Sequence, residues 1–128
     1  MSNESTGLGW PDGERRRLKS LREMQAEILA VNIEKGWRGP DVNEVSFGEA
    51  MALLHSEVSE ALEAYRTHGT ADFTRADGKP EGVGSEFADV LIRLLDDCDM
   101  FDIDLEAEYE RKIAFNRTRP FRHGGKAL

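Results

Sequence analysis

Cysteine is almost missing from this chain of 128 residues: Cys98 stands alone, which excludes an internal disulfide and any multi-cysteine zinc site. It falls within a helical pattern, where a small buried apolar residue is the usual role of a lone thiol. Long hydrophobic runs are missing too. The longest, Ala50 to Leu54, is far short of the roughly 20 residues that cross a bilayer. Met1 to Asp12 lacks the basic, apolar, small-residue order of a secretory signal, so a cytoplasmic location without a membrane partner is expected. Positive charge is in deficit: 17 Lys and Arg against 25 Asp and Glu leave a formal charge of −8, which argues against a protein that coats a nucleic-acid polymer or an anionic membrane. Convincing strand alternation and internal repeats are also lacking. What is present, 39% hydrophobic and 33% charged residues, suits one compact domain with a modest core.

The organisation expected is a flexible N-terminal tail over residues 1–13, a helical domain over 14–120 and a basic C-terminal tail over 121–128. Leu18, Leu21, Met24, Ile28, Leu29 and Val31 recur at helical spacing from Glu14 to Lys35, and Gly36 is a natural stop. Ser46-Phe47-Gly48-Glu49 forms a capping box for a second helix to about Thr67, with an apolar stripe of Phe47, Met51, Leu54, Val58, Ala61 and Tyr65. Thr67 to Gly84, with Gly69, Gly78, Pro80 and Gly82, reads as a long mobile connection. A third helix is expected from Ser85 to Met100, with Phe87, Leu91, Leu94, Leu95 and Cys98 on one side and Glu86, Asp89 and Arg93 on the other. Asp102 or Asp104 caps a fourth, Leu105 to Arg117, carrying Leu105, Tyr109, Ile113 and Phe115 and ended by Pro120. The class is all-α, a four-helix bundle whose long amphipathic helices leave apolar surface that a second copy can cover.

One charge is out of place. Glu57 projects inside the apolar arc of the second helix, and Glu60 lies one turn on, so both carboxylates can approach one point. Glu86 and Asp89 repeat the spacing on the third helix, although they fall outside its apolar arc. Four such groups around one spot repel unless a hard cation neutralises them, and carboxylate-only ligation favours Mg²⁺ or Mn²⁺ over zinc. The plainer reading is two solvated acidic faces. Acid and base are also divided along the chain: Glu81 to Glu110 carries Arg93 as its only base, whereas Arg111 to Leu128 has no acid. Either the tail is simply solvated, or Lys112, Arg117, Arg119 and Arg122 meet an anion such as phosphate. His55, His68 and His123 are dispersed and read as structural or solvent-facing. The Glu-x-x-His pairs of di-iron bundles are missing, since Ala52, Tyr65 and Pro120 stand three residues before the histidines.

The run His55-Ser56-Glu57-Val58-Ser59-Glu60-Ala61-Leu62-Glu63, then Glu86-Phe87-Ala88-Asp89-Val90-Leu91, then Lys112-Ile113-Ala114-Phe115-Asn116-Arg117, resembles the MazG-like all-α nucleoside triphosphate pyrophosphohydrolases. That family's pattern is Glu-Glu-x-x-Glu, a spacer, Glu-x-x-Asp, and later a Lys and an Asn on the last helix. The likeness spans about Gln25 to Lys126. It implies Mg²⁺-dependent cleavage of a nucleoside triphosphate to the monophosphate and pyrophosphate, by a homodimer or homotetramer with sites near subunit contacts. It implies Glu57, Glu60, Glu86 and Asp89 as metal ligands, and Lys112, on phosphate, and Asn116 as nucleotide contacts. Arg119 joins them as a phosphate-binding candidate, and Trp37 resembles an aromatic position beside the base. The likeness implies no catalytic side chain beyond a metal-activated attacking water, with Glu57 or Glu63 as the candidates to assist it. The chain departs from the pattern at Ser56, where the family has Glu; Glu63 or Asp96 must then substitute, or activity is reduced. The alternatives are a phosphoribosyl-ATP pyrophosphohydrolase of the same superfamily and a non-catalytic helical dimerisation module.

Overall fold

Serine and aspartate side chains open three of the four helices. In a computed structural model, which describes residues 18–122, α1 spans Leu21–Glu34, α2 Phe47–His68, α3 Val83–Met100 and α4 Leu105–Thr118. The Glu23 amide donates to Ser20 Oγ at 3.1 Å, the Ala107 amide to Asp104 Oδ1 at 3.1 Å, and Ser46 with Glu49 closes a complete capping box. At the end of α1 the Trp37 amide reaches the Asn32 carbonyl at 2.8 Å and the Gly36 amide reaches Ile33 at 3.1 Å. Gly36 takes φ +79°, so this is a Schellman cap, with the stop where the glycine put it.

α3 is the central helix. It packs along α2 on one side and α1 on the other, and α4 rests mainly on α1. Arg22 ties that seam by donating to Asp104 at 2.5 Å, which holds the Asp104 carboxyl below its ordinary value. The fold is therefore all-α with four helices, as the periodicity required. Residues 1–17 and 123–128 lie outside the described part, and with them the expected N-terminal tail, His123 and most of the basic C-terminal tail.

Four expectations need correction. α1 begins at Leu21 rather than Glu14, because Ser20 supplies the cap; Leu18 and Lys19 precede it outside the helix. The connection after α2 contains an antiparallel hairpin of two-residue strands, β1 (Phe73–Thr74) and β2 (Pro80–Glu81), too short for alternation to register. The buried face of α2 is Ala50, Glu57 and Ala61, turned by about 60° from the expected stripe at 100° per residue. Small residues let the two backbones approach there, leaving Phe47, Val58 and Tyr65 more than half exposed. On α3, Leu95 and Cys98 are buried as expected, whereas Phe87 is 61% exposed and the Asp97 carboxylate is buried. Toward the C-terminal end of α3, Cys98 lines a cleft together with Gln25, Ala26 and Leu29 of α1.

Candidate functional site

Glu57 sits in the middle of α2 with only 8% of its surface exposed. The inward direction read from the helical wheel is the one it takes. Glu60 lies one turn further on, exposed, and Glu86 stands half-buried in the first turn of α3. One carboxylate oxygen from each of these three residues lies within 4.8 Å of the other two. Asp89 is exposed and stands outside that set of three, although its charge acts on Glu86. Burial first, then the charges of Glu60, Asp89, Glu57 and Glu81, push the Glu86 carboxyl above its ordinary value. Its Oε2 is shielded from solvent and accepts no hydrogen bond from a described residue.

The start of α3 is built from a distance. Gly82, the residue before the helix, offers no side chain, and Asp72 acts in its place: the Gly84 amide donates to Asp72 Oδ1 at 3.0 Å. Gly82 has φ +116°, and a Cβ there would lie 2.6 Å from Asp72 Oδ1, so only glycine fits beneath the carboxylate. This clasp sets where Glu86 begins its turn.

Two arginines escaped the sequence reading. Arg93 Nε donates to Glu57 Oε1 at 2.5 Å, giving the most buried carboxylate of the group a counter-charge. Arg93 was expected on the outer side of α3; its isolation within an acidic stretch, four residues beyond Asp89, was the available signal. Arg38 forks onto Asp96 at 2.8 Å and Asp99 at 2.9 Å, pinning the segment between α1 and α2 against α3. Asp96, a candidate substitute for the missing family Glu, is thereby engaged by Arg38. Glu63, the other candidate, is exposed beside Arg66 and outside the set of three. Ser56 donates its hydroxyl to the Leu53 carbonyl at 2.6 Å.

Under that pinned segment lies a cavity of roughly 950 Å³. Glu57, Asp89 and Arg93 line it near the carboxylates, Ala50, Leu53 and Asp97 line it elsewhere, and Trp37 borders it with 73% of its surface exposed. Glu60 and Glu86 do not line the cavity, so Glu57 is the residue of the three shared between the carboxylate group and this open cleft. Lys112, Asn116 and Arg119 are all exposed on or just beyond α4 and belong to neither feature. The Arg119 guanidinium lies 6.0 Å from the Phe115 ring centre. His55 and His68 are exposed, with His68 edge-on to Phe73. Compared with known proteins, the chain matches no protein-family model, no curated protein and no solved structure.

Proposed function

We propose that the protein is a metal-dependent nucleoside triphosphate pyrophosphohydrolase, releasing a nucleoside monophosphate and pyrophosphate. The observation that carries this reading is the meeting of Glu57, Glu60 and Glu86 within 4.8 Å, with a Glu86 oxygen buried and unpaired. Carboxylates so close raise one another's proton affinity unless a cation neutralises them. Arg93 supplies one positive charge to Glu57, which leaves Glu60 and Glu86 without an ion pair among the described residues. An all-oxygen donor set of this charge fits Mg²⁺, with Mn²⁺ as a substitute, better than zinc.

Glu57, Glu60 and Glu86 would hold the ion, and Asp89, on the same side of α3 and lining the cavity, completes the set as the family likeness implies. A divalent ion bound there supplies charge neutralisation for phosphate oxygens and acidifies a water. The chain's own part is positioning. Glu57 joins the ion site to the cavity, and the hydrophobic wall of Ala50 and Leu53 with the ring of Trp37 suits the apolar faces of a nucleoside. Arg93, held by Glu57, faces the same space as a cation toward phosphate. Lys112 and Asn116 are proposed as nucleotide contacts on the family likeness alone, and Arg119 on the basic character of the segment that carries it.

A second reading, a helical association module, is favoured by a separate observation. Val58, Leu62, Tyr65, Phe87 and Leu91 all stay exposed on α2 and α3, apolar side chains that a partner surface could cover. We fold this into the first reading as a homodimer or homotetramer covering that surface. The deciding experiment is pyrophosphate release from a panel of ribo- and deoxyribonucleoside triphosphates, with Mg²⁺ and with EDTA. Metal-dependent appearance of monophosphate and pyrophosphate is expected; folded protein that is inert across the panel would leave the association reading in its place.

A further inference from the structure

Asp97 has no function in the carboxylate group, yet it is the second most conspicuous charge in the molecule. It lies two turns beyond Asp89 on α3, is 9% exposed, and its Oδ2 is shielded from solvent without a hydrogen bond from any described residue. An unpaired buried carboxylate costs free energy, so the fold retains it against a stability gradient. The cation whose charge acts on it does not pair with it: Arg93 makes its ion pair with Glu57. Burial and the neighbouring Asp96 push its carboxyl upward.

Asp97 also lines the cavity that Glu57 and Asp89 line. Asp97 lies eight positions beyond Asp89 on α3, about 12 Å along the axis. The cavity these residues share is long enough to take a nucleotide with its phosphates beside Glu57 and Asp89 and its base beside Asp97. The missing partner of Asp97 is therefore a hydrogen-bond donor brought by the ligand.

We infer that Asp97 determines base specificity, accepting hydrogen bonds from a base that carries an exocyclic amino group and disfavouring uracil and thymine. The inference rests on the nucleotide reading of the same site. The chemistry follows from the donor inventory. An ionised carboxylate accepts from an amino group and, on guanine, from the adjacent ring N–H as well; a protonated one accepts with its carbonyl oxygen and donates to the ring nitrogen of cytosine or adenine. Uracil and thymine offer one ring N–H between two carbonyl oxygens, both of which repel a carboxylate. Discrimination therefore belongs to the ionised carboxylate, since a protonated one would donate to a uracil carbonyl while accepting from the ring N–H.

The test is binding of CMP, GMP and UMP to the full chain with Mg²⁺, by calorimetry, for the native protein, Asp97→Leu and Asp97→Asn, with circular dichroism as the check on folding. The native protein is expected to favour CMP or GMP over UMP by at least about tenfold. Asp97→Leu should bring that ratio to about unity, because it removes the acceptor while keeping the bulk. Asp97→Asn should also lower it, because a rotated amide serves the uracil carbonyl. Equal affinity for all three nucleotides in the native protein, or a ratio unmoved in both folded variants, overturns the assignment. Amino-base preference in binding, with no pyrophosphate released from any triphosphate, upholds Asp97 while removing the hydrolase reading. Pyrophosphate release without base preference does the reverse, and no nucleotide binding removes both.

Discussion

At the Glu86 carboxylate, folding brings together burial and neighbouring negative charge. Its folded-state carboxyl titrates above the ordinary value of 4.5, so between the two values the folded chain holds a proton that the unfolded chain has released. Stability must therefore fall as pH rises through that window. Asp104 acts with the opposite sign: its carboxyl is depressed by the Arg22 hydrogen bond and the Ala107 amide, and its contribution is lost as pH falls through its lowered value. In EDTA, the melting temperature of the native protein should decline relative to Glu86→Gln as pH climbs from 4.5 toward neutrality, and Mg²⁺ should restore it. At a hundredfold excess over Kd the ion would add about 2.7 kcal/mol. A pH dependence identical in both proteins would remove Glu86 as the origin. Turnover should fall about a hundredfold or more in Glu57→Gln and in Asp89→Asn, measured as pyrophosphate release. Asp89 is exposed, so a loss there cannot be ascribed to a damaged core.

Among the elements, the helix starts show two kinds of legibility. Ser46 and Glu49 lie three residues apart, and their reciprocal hydrogen bonds are visible in the chain before any folding is considered. Ser46→Ala should cost about 1 kcal/mol in chemical denaturation, with the buried face of α2 unchanged. The α3 start depends on Asp72, twelve residues from the amide that it accepts, so no local pattern announces it. Asp72→Ala should cost a similar amount, about 1 kcal/mol, and in addition weaken Mg²⁺ binding, because the first turn of α3 carries Glu86. Gly82→Ala forces a methyl against the same carboxylate at a positive φ and should destabilise by about 1–3 kcal/mol. Loss of stability without any change in Mg²⁺ affinity would show that the clasp supports the helix but not the ion site.

For the molecule as a whole, the quantity that stands out is how little is sealed. Leu95 is the one large side chain fully withdrawn from solvent among the described residues, accompanied by Ala50, Ala61 and Cys98. A core of that size leaves much of the apolar surface of α2 and α3 in water, and a second copy is the partner proposed to cover it. Sedimentation at micromolar concentration should give a mass above that of one 14.4 kDa chain. Val58→Glu with Leu62→Glu should shift it to the single-chain mass, because two charges enter the exposed side of α2. Native protein that sediments as a monomer throughout would remove the oligomer from the proposal.

Periodicity and capping chemistry are local, and what depends on them was readable in the chain: four helices among the described residues, the stop at Gly36, the start at Ser46, the inward projection of Glu57 and the buried thiol of Cys98, whereas the choice of Asp104 over Asp102 as the α4 cap was left to the fold. The sequence by itself also determined which carboxylates are candidates for a shared ion, since Glu57 and Glu60 sit one turn apart on a single helix. Tertiary structure alone decided that Glu86 joins them while Asp89 stands just outside, that Arg93 turns inward to Glu57, and that Arg38 roofs a cavity with Asp97 in its wall. Those outcomes follow from how far each helix rotates about its axis and which neighbour covers which stretch of it. A wheel drawn for one helix contains neither quantity, because both are set by contacts between residues 36 or more positions apart, as in Arg93 with Glu57 and Arg38 with Asp96.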